Sequence, residues 1–233
     1  MTALTVVFDL DGTLVDTAPD LIDTLNVVFA REGLPPLAYD DGRNMIGGGA
    51  RRMIEHALEF EGRVVSSGEI DRLLGDFVAH YADHVADRSR PFPGLDAALD
   101  TLAARGCRFA VCTNKLEGLS RLLLEALNLT HRFVVICGQD TFKIQKPDPE
   151  ILYRTIRAAG GETERAVMVG DSGTDIATAR AAGIPIVAVD FGYSEVPVGK
   201  LMPDRLISHF DQLAAAVAEL ASELSLELAP RRS

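Results

Sequence analysis

Five short apolar runs constrain this chain more than any other feature: Thr5 to Leu10, Phe109 to Cys112, Phe133 to Ile136, Ala166 to Val169 and Ile184 to Val189. A stretch of helical periodicity precedes each of the last four, over about 95–105, 116–127, 149–159 and 174–182. Runs this short and continuously apolar read as strands buried on both faces, which is the habit of parallel sheets. Their alternation with helices means βαβ units, with helices on both sides of the sheet. The expected fold is α/β, a Rossmann-like parallel core.

The first strand stands apart from the rest. Between Asp16 and Arg90 the periodicity predicts helices near 18–30, 49–60 and 67–86, and the one β-like run is Val64-Val65. Pro19 suits a first helical position, and Ser66 or Ser67 suits an N-cap. Pro91-Phe92-Pro93-Gly94 then marks the return to α/β character. The expected organisation is a core of 1–16 plus 90–233 carrying a helical insert, 17–89. The last residues, from about 223, read as a fraying helix and a basic tail, Arg231-Arg232.

Composition limits the function classes. Among 233 residues, 34 acids oppose 23 bases for a net charge of −11. That field repels a phosphate backbone, so no nucleic-acid partner is expected. It equally repels a small anionic substrate, which must meet local cations or a bound metal. No apolar stretch approaches the length of a membrane span, and the first residues lack a secretory pattern, so a cytoplasmic protein without membrane contact is expected. Cys107, Cys112 and Cys137 match no metal spacing and read as reduced thiols in apolar runs. His80 and His84 lack a third ligand and read as a helix face.

Open α/β sheets bind ligands at the carboxyl ends of their strands. Asp9, Asp11, Gly12 and Thr13 follow the first run, and Thr113, Asn114 and Lys115 the second. Lys146-Pro147 lies after the third, and Gly170, Asp171, Ser172 and Asp175 after the fourth. Singly, each has an ordinary explanation as a cap, turn or solvated loop residue. Together they place carboxylates, a hydroxyl, an amide and a lysine on one edge. Such a set suits phosphoryl transfer: a hard cation held by carboxylates, donors for phosphate oxygens, one acid as nucleophile and another as general acid/base.

The run Asp9-Leu10-Asp11-Gly12-Thr13-Leu14-Val15-Asp16 resembles the first signature of the haloacid dehalogenase-like phosphatase superfamily. Thr113-Asn114-Lys115, Lys146-Pro147-Asp148-Pro149 and Val169-Gly170-Asp171-Ser172-Gly173-Thr174-Asp175 resemble the other three, in order. The resemblance implies Asp9 as nucleophile, Asp11 as general acid/base, and Gly12, Thr113, Asn114 and Lys146 at the phosphate. It implies Mg2+ on Asp9, Asp171 and the Asp11 carbonyl, with Asp175 behind, and a helical cap over 17–89. Within the superfamily, Met45 to Ala50 and the stretch from Ala181 to Tyr193 look most like the bacterial phosphoglycolate phosphatases, which implies a small phosphomonoester substrate. The glycine-rich loop with Gly48 and Gly49, a following helix N-terminus, and Arg51 or Arg52 are then candidates for its carboxylate.

Other readings stay open. A phosphosugar mutase shares core and cap type. A receiver-like phospho-accepting domain uses similar groups, but its acceptor follows a later strand and it has no insert. A dehalogenase has no need of Asp11. A Schiff-base phosphonate hydrolase needs a cap lysine, and residues 17–89 contain none.

Overall fold

The computed structural model describes residues 3–194 and 196–227; the expected tail at Arg231-Arg232 lies outside them. In chain order the elements are β1 (Thr5–Phe8), β2 (Val15–Asp16), α1 (Ala18–Arg31), α2 (Tyr39–Arg43), α3 (Ala50–Phe60) and α4 (Ser67–Asp83). β3 (Arg90–Pro91), α5 (Leu95–Ala104), β4 (Arg108–Cys112), α6 (Glu117–Ala126), β5 (Val135–Cys137) and α7 (Pro149–Ala158) follow. Last come β6 (Ala166–Gly170), α8 (Gly173–Ala182), β7 (Ile186–Val189), β8 (Arg205–Ile207) and α9 (Leu213–Glu227).

Every residue of β1 is buried, and it pairs in parallel with β4 on one side and β6 on the other. The parallel sheet has the order β5-β4-β1-β6-β7-β8. Successive side chains of a strand point to opposite faces. Val6 and Phe8 accordingly join one apolar layer with α5, α6 and α9, while Val7 joins the other with α7 and α8. This two-sided burial explains why the strands lack polar alternation. It also places the ends of β1, β4 and β6 side by side.

The helices α1 to α4 lie between β2 and β3, which pair antiparallel as Val15 with Pro91 and Asp16 with Arg90. The insert thus leaves and re-enters the core through one two-stranded neck. Inside it, α4 packs on α1 and α3 around Leu25, Phe29, Ile54, Leu73 and Phe77. Ser66 caps α4: its hydroxyl accepts from Glu69 N, and Glu69 Oε2 accepts from Ser66 N at 2.9 Å.

Several elements differ from expectation: α2, β2 and β3 have no counterpart in the sequence reading, and β7 begins at Ile186 rather than Ile184. α4 stops at Asp83 rather than continuing to 86, because the chain turns so that Arg88 N and Ser89 N donate to the buried Asp20 carboxylate. β5 begins two residues late: Phe133 sits in a turn, packed edge-on against Phe8 with centroids 6.2 Å apart, and Val134 is exposed. β8 has no counterpart in the sequence reading, being a three-residue edge strand whose Leu206 is exposed. Val64 is fully exposed in a loop. The cysteines are free, with Cys112 and Cys137 buried and Cys107 half-buried. The His80 and His84 rings stack on the α4 surface, centroids 4.4 Å apart.

Candidate active site

Four chain segments deliver the polar groups. Asp9 leaves β1 and Gly12 turns the chain at φ +80°, where a Cβ would also collide with the Asp171 carboxylate. Only glycine tolerates both demands. Asp171 follows β6, and Asp175 sits in the first turn of α8, where it forms a capping box with Ser172. Lys146 arrives from the long β5–α7 connection. Its backbone is held to β4 by Asn114, whose Oδ1 accepts from Lys146 N at 2.8 Å and whose Nδ2 donates to Lys146 O at 3.2 Å. Asn114, expected at the phosphate, has its side-chain amide on the Lys146 backbone, while its own backbone N–H is not part of that pair.

The Lys146 ammonium lies 2.8 Å from Asp9 Oδ1 and 2.6 Å from Asp175 Oδ1. Asp171 accepts from the Thr13 hydroxyl at 2.9 Å and from Tyr193 N at 2.7 Å. Asp9, Lys146, Asp171 and Asp175 are all at most 4% exposed. One buried cation thus faces three buried carboxylates, and the imbalance shows in their proton affinity. Burial pushes Asp171 up to about 8, with Asp175 and Asp9 adding repulsion. Burial raises Asp9 to about 6 even though Lys146 opposes the rise. Burial lowers the Lys146 ammonium, but Asp175 and Asp9 outweigh it and hold it above its ordinary value.

This donor set fits a divalent cation. Asp9, Asp171 and Asp175 each offer an oxygen, all within 4.8 Å of one another. Hard oxygen ligands and uncompensated negative charge are what magnesium requires. Among the described residues this is the sole grouping of its kind.

Asp11 has a separate set of partners. The Lys115 ammonium lies 2.9 Å from its Oδ1 and 3.2 Å from its Oδ2, and the Thr17 hydroxyl donates to Oδ1 at 2.7 Å. Lys115, whose role the sequence leaves open, is buried, with its ammonium 4.5 Å from the centre of the Tyr81 ring. Thr113 Oγ1 accepts from Lys115 N at 3.2 Å, which leaves its own proton free to donate.

Above these groups lies a cavity of about 220 Å³ between core and insert. Asp9, Asp11, Thr113 and Lys115 line its floor; Gly47, Gly49, Ala50 and Arg51 line one wall, and Met53, Leu74, Phe77 and Tyr81 another. Of the candidates proposed for a substrate carboxylate, Gly49 and Arg51 therefore reach the cavity. Gly48 and Arg52 do not: they line a separate groove with His56 and the start of α8. Arg51 is tied outward to Asp71 and Glu55.

Two residues had no role assigned from the sequence. The Tyr193 hydroxyl donates to Asp16 Oδ1 at 2.5 Å and accepts from Thr17 N and Ala18 N, so this residue joins the neck to Asp171. Arg43 of α2 donates to the carbonyls of Phe191 and Gly192, docking the insert on the same loop. Their only sequence signal was a position beside a recognised motif.

Fold and site together define an α/β hydrolase whose catalytic edge is covered by a helical cap. The chain belongs to the haloacid dehalogenase-like hydrolase family, whose model matches residues 6–189. A phosphoglycolate phosphatase of Mesorhizobium japonicum is 51% identical over 92% of this chain and 94% of its own length. One from Agrobacterium fabrum is 46% identical over 91% of each chain. A crystal structure from Haemophilus somnus, described as a predicted phosphoglycolate phosphatase, superposes with a TM-score of 0.81 at 27% identity, over 92% of this chain and 98% of that one.

Proposed function

We propose that this chain hydrolyses 2-phosphoglycolate to glycolate and phosphate, with magnesium, through an aspartyl-phosphate on Asp9. The observation that carries the reading is the buried cluster of Asp9, Lys146, Asp171 and Asp175, of which Asp9 reaches, beside Asp11, the floor of a small cavity. Among the described residues no helix is long and apolar enough to cross a membrane; a cytoplasmic enzyme acting on a small metabolite fits.

In this mechanism Lys146 steadies the attacking Asp9 carboxylate and draws the phosphate by charge. The free proton of Thr113 donates to a phosphate oxygen, and Gly12, whose own N–H is bonded to Val15 O, keeps the loop beside the phosphate free of a side chain. Magnesium would be held by Asp9, Asp171 and the Asp11 carbonyl, with Asp175 behind, and would offset the charge that otherwise keeps Asp9 from phosphorus. Asp9 attacks phosphorus as the ester bond breaks, and the Asp11 carboxyl gives its proton to the departing alkoxide. Asp11 then takes a proton from the water that cleaves the aspartyl-phosphate, restoring Asp9. The insert 17–89, acting as a cap, keeps other water out.

The cavity supports a small substrate. About 220 Å³ falls below the roughly 300–1,000 Å³ of pockets for drug-sized ligands, which suits a two-carbon ester better than a hexose phosphate. Specificity constants for phosphoglycolate and for glucose 1- and 6-phosphate, measured with magnesium, test the reading. Phosphoglycolate is expected to lead by at least about tenfold. A preference for β-glucose 1-phosphate, or its isomerisation without net phosphate release, would assign the chain to the mutases instead.

A further inference from the structure

The cavity must distinguish a carboxylate-bearing leaving group from a neutral one, and its wall offers few means. Leu21, Ile46, Met53, Leu74, Phe77 and Leu119 make it largely apolar. Two cations line it, Arg51 and Lys115. Arg51 is 42% exposed and occupied by Asp71 and Glu55 on the outer surface. Lys115 is buried, its ammonium is held by Asp11, and the face of Tyr81 backs it. The buried Tyr81 hydroxyl forms no hydrogen bond of good geometry; its one polar neighbour is the Lys115 ammonium, a donor that leaves the hydroxyl's own proton for a ligand to accept.

Resting on the phosphoglycolate reading, we propose that Lys115 is the specificity-determining cation of this enzyme, with Tyr81 as its accomplice. Asp11 must face the ester oxygen to serve it, and the carboxylate of phosphoglycolate lies one methylene beyond that oxygen. A group there falls beside the ammonium that touches Asp11 at 2.9 Å. The incoming carboxylate takes Lys115 as its counter-ion, and Asp11 is released toward the ester oxygen. The Tyr81 hydroxyl donates the second hydrogen bond. A neutral leaving group supplies no such partner and leaves Lys115 on Asp11. Recognition of the acid and release of Asp11 are then one event, built from a core lysine and a cap tyrosine.

The test compares phosphoglycolate with ethyl phosphate, which matches it in carbon count and lacks the carboxylate. The readout is the ratio of the two kcat/KM values, so that general damage to Asp11 cancels. In Lys115→Met the ratio is expected to fall at least tenfold, and in Tyr81→Phe about threefold, mostly through KM; Lys115→Arg recovers part of the loss. A wild-type ratio near one would sink the phosphoglycolate reading itself. A high wild-type ratio that Lys115→Met leaves within twofold, with both substrates slowed alike, overturns this inference alone and makes Lys115 a support for Asp11. Should Lys115→Met fail to fold, Lys115→Gln and Tyr81→Phe decide by the same ratio.

Discussion

The floor and the roof of the cavity are built on different terms. In and beneath the floor, Asp9, Asp171, Asp175 and Lys146 are buried, and each is fixed by at least one partner from another segment. On the roof, residues 47–50 are half-buried, and the nearest charge, Arg51, spends itself on ion pairs in solvent. Pairs of that kind contribute about 1 kcal/mol or less, whereas breaking a buried pair leaves a stranded charge that costs several. The core is therefore intolerant of change, and the cap is free to vary with the leaving group.

The largest effects should come from the floor. Asp9→Asn keeps size and removes the attacking anion, so kcat is expected to fall on the order of 10⁴-fold, with an unchanged circular-dichroism spectrum. Retention of a tenth of the wild-type rate would rule out the covalent route. Lys146→Met removes the one cation among three acids. Charge-assisted bonds contribute about 1.5–3 kcal/mol each, so kcat/KM should drop roughly 10- to 150-fold for every phosphomonoester alike. A loss confined to phosphoglycolate would move Lys146 from the floor's role to the roof's.

Metal removal separates the regions by stability. With Asp171 at about 8 and Asp9 at about 6, the folded protein holds protons that the unfolded chain sheds at ordinary carboxylate values. Stability without metal therefore falls as pH rises from about 4 toward 8. A divalent cation relieves that strain, so its stabilisation grows over the same range. At 100-fold excess over its dissociation constant magnesium adds about 2.7 kcal/mol, or roughly 5–10 °C for a chain of this size. Melting curves at pH 5 and 8, with magnesium and with chelator, check this. An increment that shrinks with pH would contradict a carboxylate site.

How legible all this was follows from the same contrast. The floor depends on residues immediately after buried strands, so apolar runs and their trailing acids located it. Helix ends were readable wherever a cap or glycine marks them, as at Ser66 and Gly183. β8 was too short for periodicity to register. Lys115, Tyr81, Tyr193 and Arg43 act across distances of 34 to 177 positions; such contacts exist only once the sheet and the cap are assembled. Asn114 shows a finer limit: nothing in the sequence told that its side-chain amide holds the Lys146 backbone.

The smallest effect sharpens the roof. Gly48 and Gly49 are adjacent and looked interchangeable in sequence, but they face different spaces. Gly49 adopts φ +85°, and a Cβ there would lie 3.0 Å from the carbonyl of Asn114. With ψ 165° as well, this is a backbone conformation nearly reserved for glycine, which costs another residue roughly 1–3 kcal/mol, and the Cβ would also push the cap loop off the residue that positions Lys146. Gly48 carries no positive φ, and its Cβ would meet the root of the Arg52 side chain, 2.9 Å from Cγ and 3.0 Å from Cβ, so that the first turn of α3 must give slightly. Gly49→Val is therefore expected to lower kcat/KM for phosphoglycolate about tenfold, and Gly48→Val no more than about threefold. Both should keep the melting temperature within a few degrees, since neither glycine belongs to the cap's apolar interior. Equal losses in the two variants would mean that the loop acts through its flexibility as a whole. A larger loss at Gly48 would place the substrate's carboxylate in the outer groove and return Arg52 to consideration.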